Sequence, residues 1–364
     1  TIRLDRHGPD VSHFPQKVWA RLVAKRMHEN GGSMFEYAYD FRGDPTLRAL
    51  TARYLAQARA VTCDPDQILI VSGSQQAIYL AARILLNEGD HVAMESPGYY
   101  FAGRIFSSQG AQLIPIPVDR HGLKVAELKR HKDVRMLYVT PSHQFPTGAS
   151  LTLSRRIALL KWARSSNAFI LEDDYDSEFR YRESPLPALQ GMAPSAPVIY
   201  TGSFSKLLFP SLRLGYLVLP KQLVTAFRTA KLLNDMQSSS FHQLVLADFL
   251  AEGHLDSHLR RMRTLYDGRR ATLTQALRDH FGTRVRISGD EAGMYLLASF
   301  QSSLSEDEAW TRAFHAGVRL ERLFWPAGAS VKQPGYVQFV FAYGTLSDKE
   351  LQLVASRLAT VFLA

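Results

Sequence analysis

A lysine lies among hydroxyl side chains in the segment Gly202-Ser203-Phe204-Ser205-Lys206, and Arg213 follows shortly after it. A lysine amine can condense with a carbonyl group, while serine hydroxyls and a guanidinium can hold a dianionic phosphate. Together these groups indicate a site for a small cofactor that carries both an aldehyde and a phosphate. The alternative is that the lysine of a Gly/Ser loop is a solvated surface residue, and the rest of the chain has to decide between the two.

A carboxylate and a phenol follow a short apolar strand that the sequence predicts from Ala168 to Leu171. Asp173 lies at the end of this strand, where an unpaired carboxylate is costly unless a cation or a strong donor meets it. The protonated nitrogen of a pyridine ring is such a partner. Tyr175 could donate its phenol to an oxygen on the same ring. The alternatives are that Asp173 or Asp174 caps the next turn and that Tyr175 only packs.

Two further segments could contribute to the same site. Ser72-Gly73-Ser74-Gln75 opens a predicted helix, whose free N–H groups and positive dipole end form an anion site. Tyr99, which follows Pro97-Gly98, could stack on a flat ring. Simple helix capping for the first segment and core packing for the tyrosine are the alternatives.

The elements that must position these residues repeat one unit from about residue 65 to 220: an apolar strand, a turn rich in Gly, Ser or Pro, and a helical pattern. Such alternation predicts an α/β fold with a parallel sheet covered by helices on both faces. Ligands bind beyond the carboxyl ends of the strands in such sheets, so we expect the polar clusters to converge there. The predicted strands are Ile68 to Val71, His91 to Met94, Met136 to Val139 and Ala168 to Leu171.

The pattern changes after about residue 222 and predicts a smaller α+β domain. A helical stretch from Val224 through Leu277 is interrupted near Ser238 to Ser240. We expect an N-terminal arm with a dimer contact over residues 1–45, a large domain over 46–240 and a small C-terminal domain over 241–364. The predicted elements of the small domain are the strands Val285 to Ile287, Met294 to Phe300, Val318 to Leu323 and Val337 to Tyr343, followed by a helix from Ser347 to Phe362.

Composition excludes several classes of protein. The chain has 364 residues, of which 46% are hydrophobic and 21% charged, and it contains no apolar run long enough to cross a bilayer. Its single cysteine, Cys63, excludes an internal disulfide and fits a reducing compartment, so a cytoplasmic protein is expected. The net charge of +9 is compatible with an anionic partner or with an ordinary enzyme. His254 and His258 have the spacing of helical zinc ligands, but no third ligand is evident, so no metal is expected.

The order of these segments resembles the fold-type I pyridoxal-phosphate proteins related to class I aminotransferases. Within that group the chain is most similar to the effector-binding domain of MocR/GabR-type bacterial transcription regulators, which belong to the GntR superfamily. The resemblance implies a mostly parallel central sheet in a large domain and a smaller C-terminal α+β domain. It is carried by Thr140 to Gly148 (TPSHQFPTG), by Glu172 to Tyr181 (EDDYDSEFRY) and by Gly202 to Lys206.

The resemblance also implies roles for individual residues toward pyridoxal 5'-phosphate. Lys206 would carry the internal aldimine, Asp173 would pair with the pyridine nitrogen, Tyr175 would face the ring oxygen and Tyr99 would stack on the ring. In such dimers a tyrosine of the partner subunit often completes the phosphate site, and either Tyr37 or Tyr39 is the candidate, with the choice between them open. The residues expected around the phosphate are Ser74, Gln75, Ser203, Ser205 and Arg213.

Two departures from the aminotransferase pattern bear on activity. Class I enzymes usually have an asparagine before the Pro-Thr-Gly turn, where this chain has Phe145. They also usually bind the substrate carboxylate with an arginine on a small-domain strand, but no arginine occurs between Arg322 and Arg357. GabR-like regulators place an arginine slightly after that strand, where this chain has Tyr343. The remaining candidates for contact with an effector are Arg104, Tyr343, Gln338 and His143.

The resemblance therefore implies a sensing domain, in which an amine or amino-acid-like effector displaces Lys206 to form an external aldimine. In such regulators the sensor follows a winged helix-turn-helix domain, and nothing here resembles one. We therefore expect a homodimeric fragment that reaches DNA through an upstream domain outside this chain. A free-standing pyridoxal-phosphate-dependent aminotransferase, with Lys206 as general acid and base, is the alternative, and whether the chain is an enzyme stays open.

Overall fold

The structure is a computed structural model that describes residues 1–29, 35–37, 40–181, 186–323 and 335–363. The N-terminal part of the chain comes before the large sheet. It contains strand β1 (Ile2–Arg3), helix α1 (Gln16–Glu29) and helix α2 (Pro45–Arg59). Asp44 caps α2 by accepting a hydrogen bond from the backbone N–H of Leu47, and Pro45 stands in the first turn, where its missing N–H costs nothing.

The large sheet has eight strands in the described part of the chain, in the order β2-β9-β8-β7-β6-β3-β4-β5. Strands β8, β7, β6, β3 and β4 are parallel to their neighbours in this run, whereas β9 is antiparallel to both β2 and β8. The strands are β2 (Ile68–Val71), β3 (His91–Ser96), β4 (Gln112–Asp119), β5 (Gly122–Leu123), β6 (Val134–Val139), β7 (Phe169–Asp174), β8 (Val198–Ser203) and β9 (Gly215–Val218).

Helices cover both faces of this sheet, as the sequence predicts. Along β6 the side chains alternate: Met136 and Tyr138 pack in the core on one face, and Leu137 and Val139 pack in the core on the other. Both faces are therefore buried, which is why the central strands appear in the sequence as continuous apolar runs. The helices of this region are α3 (Ser74–Leu85), α4 (Tyr100–Ser108), α5 (Val125–Leu128), α6 (Leu153–Ser165), α7 (Leu189–Met192), α8 (Phe204–Leu207) and α9 (Val224–Asp235).

The C-terminal part contains a four-stranded antiparallel sheet, in the order β10-β11-β14-β13, packed against long helices. Strand β1 pairs in parallel with β12, which ties the N-terminus to this part. The elements are α10 (Ser240–Ala251), α11 (His254–Phe281), β10 (Val285–Ser288), β11 (Tyr295–Gln301), α12 (Glu306–His315), β12 (Val318–Arg319), β13 (Glu321–Arg322), β14 (Tyr336–Ala342) and α13 (Asp348–Phe362).

The structure differs from the sequence prediction at two places in this part. The single strand expected from Val318 to Leu323 is divided into β12, which pairs with β1, and β13, which pairs with β14. Between them the carbonyl of Leu320 accepts a hydrogen bond from the indole of Trp310 at 3.0 Å. The long helical stretch has a second break besides the expected one, at Gly253, which adopts a left-handed φ of 73°. The proposed domain boundaries stay predictions. Across the described residues, every helix is too short or too polar to cross a bilayer.

Candidate functional site

A cavity of about 560 Å³ lies beyond the carboxyl ends of β3, β6, β7 and β8. The structure brings five of the predicted site residues into its wall: Lys206, Asp173, Tyr175, Tyr99 and Ser74. Each comes from the turn or helix that follows a strand or from the strand end itself, as expected for a parallel sheet. The other described lining residues are His7, Gly8, Tyr100, Phe101, Tyr138, Thr140, Phe145, Asp176, Met294, Tyr295, Glu321, Arg322 and Leu323.

Lys206 lies on the short helix α8, directly after β8, and its side chain is surrounded by protein. Its Nζ donates a hydrogen bond to the backbone carbonyl of His7 at 3.0 Å. Burial lowers the pKa of Lys206, although the nearby carboxylates of Asp176 and Asp173 act in the opposite direction. A lysine amine attacks a carbonyl only in its uncharged form, so a lowered pKa favours Lys206 as a nucleophile.

Asp173 lies at the end of β7 and has one oxygen bonded and one free. Its Oδ2 accepts a hydrogen bond from the hydroxyl of Tyr138 at 2.6 Å, and Oδ1 has no hydrogen-bond partner among the residues that the structure describes. Burial raises the pKa of Asp173 to about 6. A buried acceptor without a partner costs free energy, so the wall of this cavity offers a place for a cationic N–H donor.

An anion site lies where α3 begins. Gly73 precedes the helix with a φ of 99°, and a side chain at this position would meet the guanidinium of Arg213, whose Nη2 donates to the carbonyl of Ser72 at 2.6 Å. The free N–H groups of the first turn, the helix dipole and a guanidinium are the groups that bind phosphate. Ser74 lines the cavity at this end.

Gln75, Ser203 and Ser205, which are also predicted around a phosphate, are not among the residues that line the cavity. Ser203 and Ser205 are buried, and the hydroxyl of Ser205 lies 3.5 Å from the carbonyl of Leu214. Gln75 is exposed and its side chain interacts with the hydroxyl of Tyr99. Tyr39 lies outside the described residues, and Tyr37 is exposed. Their roles at a phosphate stay predictions.

The two predicted aromatic residues of the site make their own contacts with the protein. Tyr99 packs edge to face against Phe145, with the ring centres 6.0 Å apart. The hydroxyl of Tyr175 donates to the carbonyl of His143 at 2.7 Å and also contacts the hydroxyl of Tyr295. Burial raises the pKa of Tyr175 well above its ordinary value, so its hydroxyl stays neutral.

The four residues predicted to contact an effector are not among those that line the cavity, and their role at an effector stays a prediction. Arg104 is exposed on α4, and Gln338 donates to the hydroxyl of Ser299 at 2.8 Å within the small sheet. The buried hydroxyl of Tyr343 donates to the carbonyl of Gly293 at 2.8 Å. His143 lies behind the wall, where its Nδ1 is 3.0 Å from Asp176. The last three are held by partners within the protein.

Several lining residues were not found from the sequence. His7 enters from the N-terminal arm, and its ring lies edge-on to Phe145 and Tyr295, with ring centres 5.5 and 5.9 Å away. Its Nε2 also makes a very close contact with the carboxylate of Glu321 on β13. No local pattern indicates these contacts, because they join segments far apart in sequence. Tyr138 is different, since the alternation of β6 and its neighbour β7 could have placed it beside Asp173.

The two histidines with zinc-ligand spacing contact other groups in the structure. The Nε2 of His258 lies 3.1 Å from the carbonyl of Leu207, whereas the Nε2 of His254 lies 3.0 Å from the carboxylate of Glu252. Within the described ranges, no group of three or more His, Cys, Asp or Glu side chains is arranged to hold a metal ion. The two histidines therefore serve local contacts of α11.

Comparison with known families gives a consistent result. The aminotransferase class I and II family matches residues 10–357, and this chain belongs to that family. The chain is 37% identical over 356 residues to the probable rhizopine catabolism regulatory protein MocR of Rhizobium meliloti, covering 98% of this chain and 71% of that protein. The resemblance to MocR-type regulators that the motifs indicate is thereby confirmed.

Two solved aminotransferase structures have a similar fold. The kynurenine aminotransferase of Pyrococcus horikoshii, in complex with PMP, superposes with a TM-score of 0.91 at 27% identity, over 99% of this chain and 90% of that one. The α-aminoadipate aminotransferase LysN of Thermus thermophilus, complexed with N-(5'-phosphopyridoxyl)-L-leucine, gives 0.89 at 28% identity, over 99% and 91%. The predicted fold-type I architecture is confirmed.

Proposed function

We propose that this chain is the effector-sensing domain of a MocR/GabR-type regulator, which holds pyridoxal phosphate at Lys206 and binds a primary amine there. The observation that carries the proposal is the placing of a buried lysine amine and an unpaired Asp173 oxygen in the wall of one cavity. These are the two groups that an aldehyde on a pyridine ring requires. The 37% identity to MocR supports the regulatory assignment.

The residues present fit pyridoxal phosphate. Lys206 offers the amine for the aldehyde, Oδ1 of Asp173 offers an acceptor for the ring nitrogen, and the start of α3 with Arg213 offers donors for the phosphate. When bound, this cofactor supplies an aldehyde that condenses with amines and a protonated ring that withdraws electrons. Tyr138 holds Asp173 in place through its 2.6 Å hydrogen bond, so the carboxylate is oriented before any ligand arrives.

Sensing is favoured over turnover by the chemistry of two lining residues. Phe145 lies in the cavity wall and offers no polar group to a ring oxygen. The hydroxyl of Tyr175 is shared between the carbonyl of His143 and Tyr295. Phe145 therefore has no polar group that could tune the electrons of the cofactor ring. The hydroxyl of Tyr175 could do so but is already engaged by the protein. Binding of an amine without rapid conversion would then shift the protein between conformations.

The alternative function is that of an aminotransferase, and the likeness to the kynurenine aminotransferase structure favours it. Cofactor-loaded protein should be mixed with primary amines and amino acids while its absorbance is followed, and then with a keto acid. We expect a saturable spectral change with an amine and no amino-acid product beyond one equivalent per chain. Repeated formation of product from the keto acid would contradict sensing and establish the enzyme.

We further propose that the chain forms a homodimer and contacts DNA through a part of the regulator other than this domain. Phe35 and Tyr37 in the N-terminal arm are 68% and 72% exposed, which is unusual for aromatic side chains and supports a contact with a second copy. The regulator relatives support the contact with DNA.

A further inference from the structure

The part of the cavity that would be left for an effector beside the cofactor has few charged groups. With Lys206 and Asp173 assigned to the cofactor, the other ionisable carboxylates and guanidinium among the described lining residues belong to Asp176, Glu321 and Arg322. The side chain of Asp176 is 2% exposed and is held by Nδ1 of His143 at 3.0 Å. Asp176 is therefore already paired inside the protein.

Arg322 lines the cavity but its guanidinium is engaged by α12. Its Nη1 donates to Asp307 at 2.6 Å, and its Cζ lies 4.7 Å from the centre of the Trp310 ring. The ion pair is exposed, with side chains 41% and 83% exposed, and so holds the guanidinium only weakly, while the cation–π contact adds to it. An anionic group inside the cavity would have to compete with both.

Glu321 is the charged group best placed to meet a ligand. Its side chain is 29% exposed, and the known contact of its carboxylate is with the ring nitrogen of His7, which also lines the cavity. Its charge acts inside the cavity: burial is the largest cause of the raised pKa of both Tyr99 and Tyr295, and the carboxylate of Glu321 adds to both shifts. A carboxylate on a ligand would be repelled by this field, whereas a cation would be attracted.

The walls around this carboxylate are aromatic. His7, Phe145 and Tyr295 meet edge to face, and Tyr99 and Phe101 contact each other with ring centres 5.8 Å apart. Aromatic faces attract ammonium groups and offer nothing to a carboxylate. The charge of Glu321 and the surrounding rings therefore favour the same kind of ligand group.

We propose, on the basis of the function proposed above, that the effector is a primary amine bearing a second cationic group, which Glu321 binds while the first amine reacts at the Lys206 site. The effector is then of the diamine class and not an α- or ω-amino acid. Glu321 determines this specificity, and His7 positions its carboxylate.

Three ligands of equal chain length test this assignment on the cofactor-loaded protein: putrescine, butylamine and γ-aminobutyrate, titrated by the absorbance of the cofactor. Butylamine ends in a methyl group and cannot make the charge-assisted hydrogen bond to Glu321, so we expect putrescine to bind about tenfold more tightly than butylamine, with γ-aminobutyrate weakest. This order needs no variant. Glu321→Gln should bring putrescine to the affinity of butylamine, whereas Glu29→Gln, an exposed change on α1, should preserve the order.

The outcomes separate this inference from the function on which it rests. Tighter binding of γ-aminobutyrate than of putrescine, lost in Arg322→Gln, would overturn the inference and assign an anion site to Arg322, while the sensing function stands. Equal affinities for putrescine in the protein and in folded, cofactor-loaded Glu321→Gln would also overturn it. Absence of any spectral change with all three amines would instead contradict the proposed function itself, and the inference with it.

Discussion

Replacement of Lys206 by alanine is expected to abolish covalent retention of pyridoxal phosphate while the protein stays folded. The amine is buried at the cavity wall with a lowered pKa, and its removal leaves Asp173 and the start of α3 unchanged. The variant should therefore still bind the cofactor weakly through its ring and phosphate, and lose it on dialysis. Retained cofactor, measured by absorbance before and after dialysis, reports the difference.

A matched lysine control is available on the surface. Lys132 is exposed and is not among the residues that line the cavity, so Lys132→Ala should retain the cofactor as the unmodified protein does. Circular dichroism of Lys206→Ala guards against loss by unfolding. Cofactor that survives dialysis equally in the Lys206→Ala variant would contradict the role given to this amine.

Replacement of Arg59 by methionine is expected to lower the free energy of unfolding by about 3 to 5 kcal/mol, because it leaves a buried carboxylate without its cation. Arg59 Nε lies 2.6 Å from Asp174 Oδ2, and the two side chains are 2% and 1% exposed. The same carboxylate oxygen accepts from the hydroxyl of Tyr200 at 2.7 Å. Urea unfolding followed by circular dichroism measures the loss.

Two variants separate charge burial from a general effect on α2. Arg53 is exposed on the same helix, and Arg53→Met should change stability by no more than about 0.5 kcal/mol. The double variant Arg59→Met with Asp174→Leu removes both charges and should recover much of the loss. A single Arg59→Met variant as stable as Arg53→Met would show that the pair does not hold Asp174, and with it the neighbouring Asp173, in place.

The sequence predicted those parts of the molecule that depend on local pattern. Ile68–Val71 is apolar throughout, and Gly73 shortly after it is typical of a turn. The positions of β2 and of the start of α3 were therefore predictable. The same logic brought Lys206, Asp173 and Tyr99 together, since each lies at or just after the end of a parallel strand and such strands end at one edge of the sheet.

Contacts between distant segments could not be predicted in this way. His7 and Glu321 meet because β1 pairs with β12 and thereby brings the N-terminal arm over the cavity, and no local pattern shows that pairing. Gln338 and Tyr343 were predicted to contact an effector from the resemblance, and in the structure their side chains bond to Ser299 and Gly293. A sequence does not show which polar side chains will find partners inside the protein.

The most direct test of the central claim is the location of the covalent cofactor on the polypeptide. Protein loaded with pyridoxal phosphate should be reduced with borohydride, digested, and the peptides weighed by mass spectrometry. The buried amine beside Asp173 predicts that the added mass is on the peptide that contains Lys206. Added mass on another lysine alone, or on none, would contradict the account.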